Sequence, residues 1–322
     1  MSPDAALAET DLTACVAAYL NESLVRGHSR GTVEYRRVYL RQLQGWLGER
    51  GSAALEVLTP PVFAGFGEHL MRRRTSYNRP APTPLSSTTL AAAFSVLRSF
   101  GAWLVTHELV PADPARDLRR DRRAPPPQKP ILTVTEVGRL LETPDESTLG
   151  LRDRAILETL YSTGLRRAEL CVLDLYDIDF CAGTVLVRQG KGGRDRVVPI
   201  GATALRSVRR YLKEARPRLL PGEGEPAVFL SSITRRRLGA KNLNRIVQVH
   251  SQKAGFGKRV TPHLLRHTCA THLLQGGAAT PDVQAILGHA SIAATPTYTR
   301  VTVEDVALAH ARHHPRARIE IP

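Results

Sequence analysis

The chain has 322 residues, 42% of them hydrophobic, enough for two domains with a sizeable core. Its formal net charge of +15 points to a polyanionic partner, DNA or RNA first, with a generally basic soluble protein as the bland alternative. No apolar run approaches the roughly 18 residues that span a membrane, the acidic start MSPDAALAETDL is unlike a secretory leader, and Cys15, Cys171, Cys181 and Cys269 form no CxxC pair, so a cytoplasmic, disulfide-free protein with no membrane association is expected.

In chain order, apolar residues recur at helical spacing in ACVAAYLNESLV, VEYRRVYLRQLQGWLGER, the stretch 60–74 and TTLAAAFSVLRSFGAWLVTHELV. Four or five helices are predicted within residues 12–109. Thr59 ahead of Pro60 and Pro61 marks the third start, and the turn-rich SYNRPAPTPLSS separates the third helix from the fourth. Arg36, Arg37, Arg41, Arg72, Arg73, Arg74 and Arg98 would decorate the bundle surface as candidate phosphate contacts. Arginine forks suit phosphate, although a GC-rich genome would explain the arginine bias equally well.

Residues 116–130, RDLRRDRRAPPPQKP, read as a basic and then proline-stiffened linker. They divide a helical domain, 1–115, from a second domain, 131–322. The linker either lies along a nucleic-acid backbone or is a solvated connector. Beyond it, Thr135-Glu136 opens a short helix, LRDRAILETLYSTG is a helix ending at Gly164, and LRRAELCVL is another. TVLVRQ and RDRVVPI alternate as strands joined by GKGG, a hairpin signal. RSVRRYLKEARPRLL is predicted helical, AVFLS a short strand, and HLLRHTCATHLL, DVQAILG and VEDVALAHARHH three more helices. The fold class expected is mainly α with a small antiparallel β-sheet.

Chemistry concentrates in the second half. Cleaving a phosphodiester requires neutralising its oxygens, supplying a nucleophile and protonating the leaving oxygen. Asp174, Asp177 and Asp179 lie close in sequence, but a turn and solvated strand edge explain them better than a metal cage. His263 and His267 are four apart, yet lack a third ligand and the glutamate of an HExxH motif. No metal site and no cofactor are expected, so the protein itself must provide the cations.

Four segments supply them: TGLRRAEL with Arg166, GKGGRDRVVPI with Lys191, HLLRHTCATHLL with His263 and Arg266, and LGHASIAATPTYTR with His289 and Tyr298. In this order they resemble the boxes of tyrosine recombinases of the phage integrase family, in a layout similar to Xer-type and transposon-borne members. One box alone would be weak; four in register are specific. The resemblance covers the whole second domain, and the first has the size of the family's helical, SAM-like core-binding domain. It implies a mixed α/β catalytic domain that cuts and rejoins DNA.

In the roles the resemblance implies, Arg166 and Arg266 grip the scissile phosphate. His263 and His289 donate hydrogen bonds or help move protons, Lys191 protonates the leaving 5′-oxygen, and Tyr298 attacks. Glu169, three residues after Arg166 on one helix, can reach back to support it. The resemblance also implies no ATP, a Holliday-junction intermediate, and four protomers (identical, or shared with a sister recombinase) on double-stranded DNA core sites. Residues 303–314 would dock between neighbours. Ala294 and Thr295 stand where many relatives carry two threonines, and Pro296 falls two residues before Tyr298. A type IB topoisomerase and a catalytically silent DNA-binding accessory protein are the competing readings. Only about ten residues precede the first helix, which favours a simple core-site system.

Overall fold

A computed structural model describes residues 11–51, 54–75, 82–118, 131–188, 195–220, 222, 224–288 and 303–317. Lys191, His289 and Tyr298 therefore lie outside the described residues, as does most of the predicted linker. The chain divides into two compact units, Met1–Pro126 and Pro127–Pro322.

The first unit is built on four helices: α1 (Leu12–Val25), α2 (Arg30–Gly48), α3 (Pro60–Arg72) and α4 (Ser87–Thr106). Short polar side chains start three of them, Asp11, Ser29 and Ser86 each accepting from a backbone N–H of the first turn. Proline at the start of α3 suits a position whose N–H has no helical partner. Leu40, Leu43, Phe63, Phe66, Leu97 and Phe100 are fully buried between these helices. At about 1.5–3 kcal/mol each, such side chains supply most of the drive for the bundle to close. A small feature lies at the turn-rich segment: β1 (Arg74–Thr75), just before it, pairs antiparallel with β2 (Thr83–Pro84) within it. α4 also corrects the reading of apolar runs, because its 20 residues are long and apolar enough to cross a membrane. Its apolar stripe, Ala93, Val96, Leu97, Phe100 and Leu104, is instead buried in the bundle core.

The second unit surrounds one helix. α6 (Thr148–Thr163) is buried from Gly150 onward on nearly every side, and packs on α5 (Val134–Glu142), α8 (Ala202–Arg210) and α11 (Pro262–Gln275). Its buried polar groups are satisfied, as they must be away from water. Thr159 and Thr163 hydroxyls donate to carbonyls one turn back, and the Ser162 hydroxyl accepts from the Gly201 N–H at 2.7 Å. α6 ends at Gly164, in the left-handed region at φ 60°. A three-stranded antiparallel sheet, in the order β3 (Ile178–Asp179), β4 (Thr184–Val187) and β5 (Arg196–Pro199), flanks this core. The predicted hairpin is thus present, with Val187 opposite Arg196 as the pair nearest its connecting loop, of which residues 189–194 lie outside the described part.

Three elements differ from expectation. AVFLS forms no strand, only single bridges from Ala227 to Asp174 and from Leu230 to Arg237. RSVRRYLKEARPRLL is helical but not uniform: a π turn at Tyr211–Ala215 separates α8 from α9 (Arg216–Leu219). α10 (Ala240–Lys253) is an additional helix, in which Leu243, Ile246, Val247 and His250 keep helical spacing and are all buried. α11 begins at Pro262, with the Thr261 hydroxyl accepting from the Leu264 N–H. After it come α12 (Thr280–Leu287) and α13 (Val303–His313), and α13 packs on α11, α12 and β5 of its own unit.

Candidate active site

Arg166 stands immediately before α7 (Arg167–Val172), and Glu169 sits in that helix's first turn. The three-residue spacing lets the Glu169 carboxylate fold back. Its Oε2 accepts from the Arg166 backbone N–H at 2.8 Å, and its Oε1 from the Arg166 guanidinium at 2.8 Å. One turn of helix is capped and one arginine oriented by a single side chain.

Arg266 lies in α11 and is buried. Its two terminal nitrogens donate to the carbonyls of Gly164 and Leu287, both at 2.6 Å. One guanidinium thus ties the end of α6 to the end of α12. The other side of this junction explains Gly164. A Cβ there would stand 2.9 Å from a Leu287 methyl, and the positive φ already disfavours any side chain.

Arg196, on β5, is a site residue that the sequence motifs do not single out. Its fork donates to both Glu169 oxygens, at 3.0 and 2.8 Å, and its Nε to the Ile286 carbonyl at 3.3 Å. A signal existed: Arg196 shares its strand face with fully buried Val198. An arginine on a buried face needs an acid or carbonyl partner.

The three arginines converge on three successive carbonyls at the C-terminal end of α12. Arg196 takes Ile286, Arg266 takes Leu287, and Arg166 takes Gly288 at 3.1 Å. This is the negative end of a helix dipole, where cations are stabilised. Gly288 closes the helix in the left-handed region at φ 62°, and the next residue in sequence is His289. Replacing Gly288 with Ala strains the backbone and places a Cβ 2.7 Å from the Arg196 Nε. We expect Gly288→Ala to destabilise the protein by about 1–3 kcal/mol, read as a lower midpoint in urea; an unchanged midpoint would mean that α12 can end another way.

Charge follows geometry. Burial alone would raise the Glu169 pKa, but hydrogen bonds from Arg196 and Arg166 hold it at about 2. Burial first, and then the neighbouring Arg166 charge, lower the Arg266 pKa to about 10, which leaves it protonated at neutral pH. With one anion among three guanidiniums, the cluster carries a net positive charge of two. His263 occupies the first turn of α11, exposed, three residues before Arg266 and so on the same side of the helix. His272 is buried and bonded through Nδ1 to the Tyr161 hydroxyl at 2.7 Å.

The surface arginines of the first unit separate into two kinds. Arg36 stacks over the Tyr19 ring and donates to the Ser23 hydroxyl, and Arg98 donates to the Leu118 carbonyl, so both are tied into the fold. Arg37 and Arg72 pair with Glu34 and Glu68 on their own helices, Arg73 donates to Gln42, and Arg41 is exposed. In the second unit Asp177 is buried against Arg188 and the Asp174 N–H, and Asp174 pairs with Arg237. Among the described residues no three His, Cys, Asp or Glu side chains come together as a metal-holding group.

The sequence profile of the phage integrase family matches residues 130–305. The chain belongs to the phage integrase family. Among its relatives are tyrosine recombinase XerC 2 of Ralstonia nicotianae, 38% identical over 98% of this chain and 89% of that protein, and tyrosine recombinase XerD of Mycobacterium tuberculosis, 38% identical over 92% and 95%. Its fold matches a lambda integrase dimer bound to a core site, with a TM-score of 0.64 at 18% identity over 91% of this chain and all of that one. It also matches the Tn1549 transposon integrase bound to transposon-end DNA, with a TM-score of 0.65 at 19% identity over 92% and 98%. This family member is an enzyme of the tyrosine recombinase class, helical with two small antiparallel sheets.

Proposed function

We propose that this protein is a site-specific DNA recombinase that breaks and rejoins strands through a 3′-phosphotyrosine on Tyr298. The observation that carries the proposal is the convergence of Arg166 and Arg266 on the last carbonyls of α12, directly ahead of the chain segment that holds His289 and Tyr298.

In this reading the Tyr298 oxygen attacks the scissile phosphorus and loses its proton. The bond from phosphorus to the 5′-oxygen breaks, and Lys191 gives that oxygen a proton. A 3′-phosphotyrosine and a free 5′-hydroxyl result. A 5′-hydroxyl from another strand then attacks the same phosphorus, and the tyrosine oxygen departs and recovers a proton. Free tyrosine has a pKa of about 10, so nearby cations must favour the phenolate as it forms. Arg166 and Arg266 supply that field: Arg166, the more exposed, turns from carbonyl to phosphate oxygens, and Arg266 acts from its buried place beside it. His263 and His289 donate hydrogen bonds to the same phosphate. Glu169 orients Arg166.

The substrate is double-stranded DNA with specific core sites, worked on by four protomers through a Holliday junction. Lambda integrase, a protein of like fold, has been seen as a tetramer on such a junction. We assign the helical unit to DNA binding, with exposed Arg41 as a phosphate contact, Arg72, Arg73 and Arg37 as contacts that exchange a surface partner for phosphate, and Arg36 and Arg98 in a supporting role. The protein works in the cytoplasm.

A DNA substrate nicked near the cleavage point traps the covalent intermediate by releasing the 5′-hydroxyl fragment. In chelator, the wild-type protein is expected to give a denaturation-resistant protein–DNA band, and Tyr298→Phe none. A band that persists in the variant would show that another residue is the nucleophile.

A further inference from the structure

Glu169 is shared between two arginines. Each of its oxygens accepts one hydrogen bond from Arg166 and one from Arg196, so all four lone-pair positions are filled. The Arg196 side chain is only 13% exposed, and the Arg166 side chain 28%. Arg196 is therefore the inner partner and Arg166 the one that can turn to a ligand. Arg196 also stands at the loop end of the β4–β5 hairpin, opposite buried Val187, and donates to the Ile286 carbonyl of α12. A single side chain thus connects the hairpin arm, the α7 start and the α12 end. The lack of a side chain at Gly288 is what leaves room for it, since a Cβ there would fall within 2.7–2.9 Å of three Arg196 atoms.

We propose that Arg196 is a positioning residue of the strand-transfer site, which shares Glu169 with Arg166 so that Arg166 is oriented without being neutralised. The proposal rests on the recombinase reading above. Its physical basis is charge balance around a buried carboxylate. A carboxylate held by Arg166 alone forms a closed ion pair, and that guanidinium then offers little attraction to a phosphate. With Arg196 holding the same carboxylate in a bidentate grip, the trio keeps one net positive charge, and Arg166 can release an oxygen without leaving Glu169 unpaired. Lysine cannot substitute fully, because a point charge on a flexible stem reaches one oxygen rather than two.

The test uses Arg196→Met, Arg196→Lys, Glu169→Gln and the Arg196→Met/Glu169→Gln double variant of the full chain. Covalent adduct formation is measured in single turnover on the nicked substrate across pH. Arg196→Met is expected to slow cleavage about 10–100-fold, by analogy with the loss of a partner behind a metal ligand, with DNA affinity within about twofold of wild type. Arg196→Lys should recover part of the rate. The double variant should be no slower than the slower single variant, since both changes break one connection.

Arg166 and Arg196 donate directly to Glu169, and Arg266 adds its charge from α11. Without Arg196, burial raises the carboxyl pKa, so cleavage should gain an acid limb that wild type lacks. Equal rates in Arg196→Met and wild type, or additive losses that track loss of DNA binding, would overturn the proposal. A second readout is independent of activity: the titration of the ¹³C-labelled Glu169 carboxyl, assigned by its disappearance in Glu169→Gln. Its midpoint should rise in Arg196→Met, and an unmoved midpoint would also overturn the proposal. If wild type forms no adduct at all, the recombinase reading fails, while this titration still decides the place of Arg196.

Discussion

Arg266→Ala is expected to abolish strand cleavage and to weaken the fold together. The side chain is buried and ties the Gly164 carbonyl to the Leu287 carbonyl. Its loss leaves two carbonyls unpaired, each costing about 1–3 kcal/mol, and opens a void between α6 and α12. A total loss of about 2–5 kcal/mol of stability follows, visible as a fall in the unfolding midpoint. Catalysis suffers separately. Removing one donor to a developing phosphate charge lowers rate by about 10²–10³-fold, by analogy with oxyanion-hole donors. Lysine at this position cannot span both carbonyls, so Arg266→Lys should restore stability only in part. An Arg266→Ala protein with wild-type cleavage would remove this residue from the proposed site.

Acidification is expected to release the C-terminal segment before the rest of the second unit unfolds. His310 Nε2 bonds the Ser162 carbonyl at 2.7 Å and His314 Nε2 the Tyr161 carbonyl at 3.1 Å, and their rings stack. Burial lowers the His310 pKa to about 4. Burial and then the neighbouring His310 lower that of His314 to about 3. His272 and Arg316 also face His314, and Arg316 pairs with buried Glu158. Both histidines are thus neutral when docked, whereas the undocked segment binds protons near pH 6.5. The docked state keeps its full advantage above about pH 6.5 and loses it progressively as pH falls towards 4 and 3. Hydrogen exchange should show α13 losing protection at pH 5 while α11 remains protected, and His314→Gln should weaken that pH response. Simultaneous loss in α11 and α13 would mean that no separate release occurs.

Much of this architecture is legible from sequence because its signals are local. Gly164 and Gly288 end helices where the sequence places them, and Thr59 with Pro60 starts one, since caps depend on a few adjacent residues. The Arg166–Glu169 connection follows from spacing on one short helix. Other features rest on distant contacts. Nothing near Arg196 in sequence announces that Glu169, 27 residues earlier, will meet it across the sheet. α10 is hard to read because its polar face dominates its composition, although Leu243, Ile246, Val247 and His250 keep helical order. AVFLS looked like a strand by β-propensity, but its backbone finds only isolated partners, and its Phe229 packs on Tyr211 at the π turn instead.

The most direct test of the account is to locate the covalent bond. After reaction with the nicked DNA in chelator, the adduct would be digested with nuclease and trypsin and sequenced by mass spectrometry. The peptide from His267 to Arg300 contains a single tyrosine, Tyr298. The account predicts that this peptide carries the mass of a 3′-linked nucleotide on Tyr298. A nucleotide on any other residue, or a 5′-linked one, would contradict it.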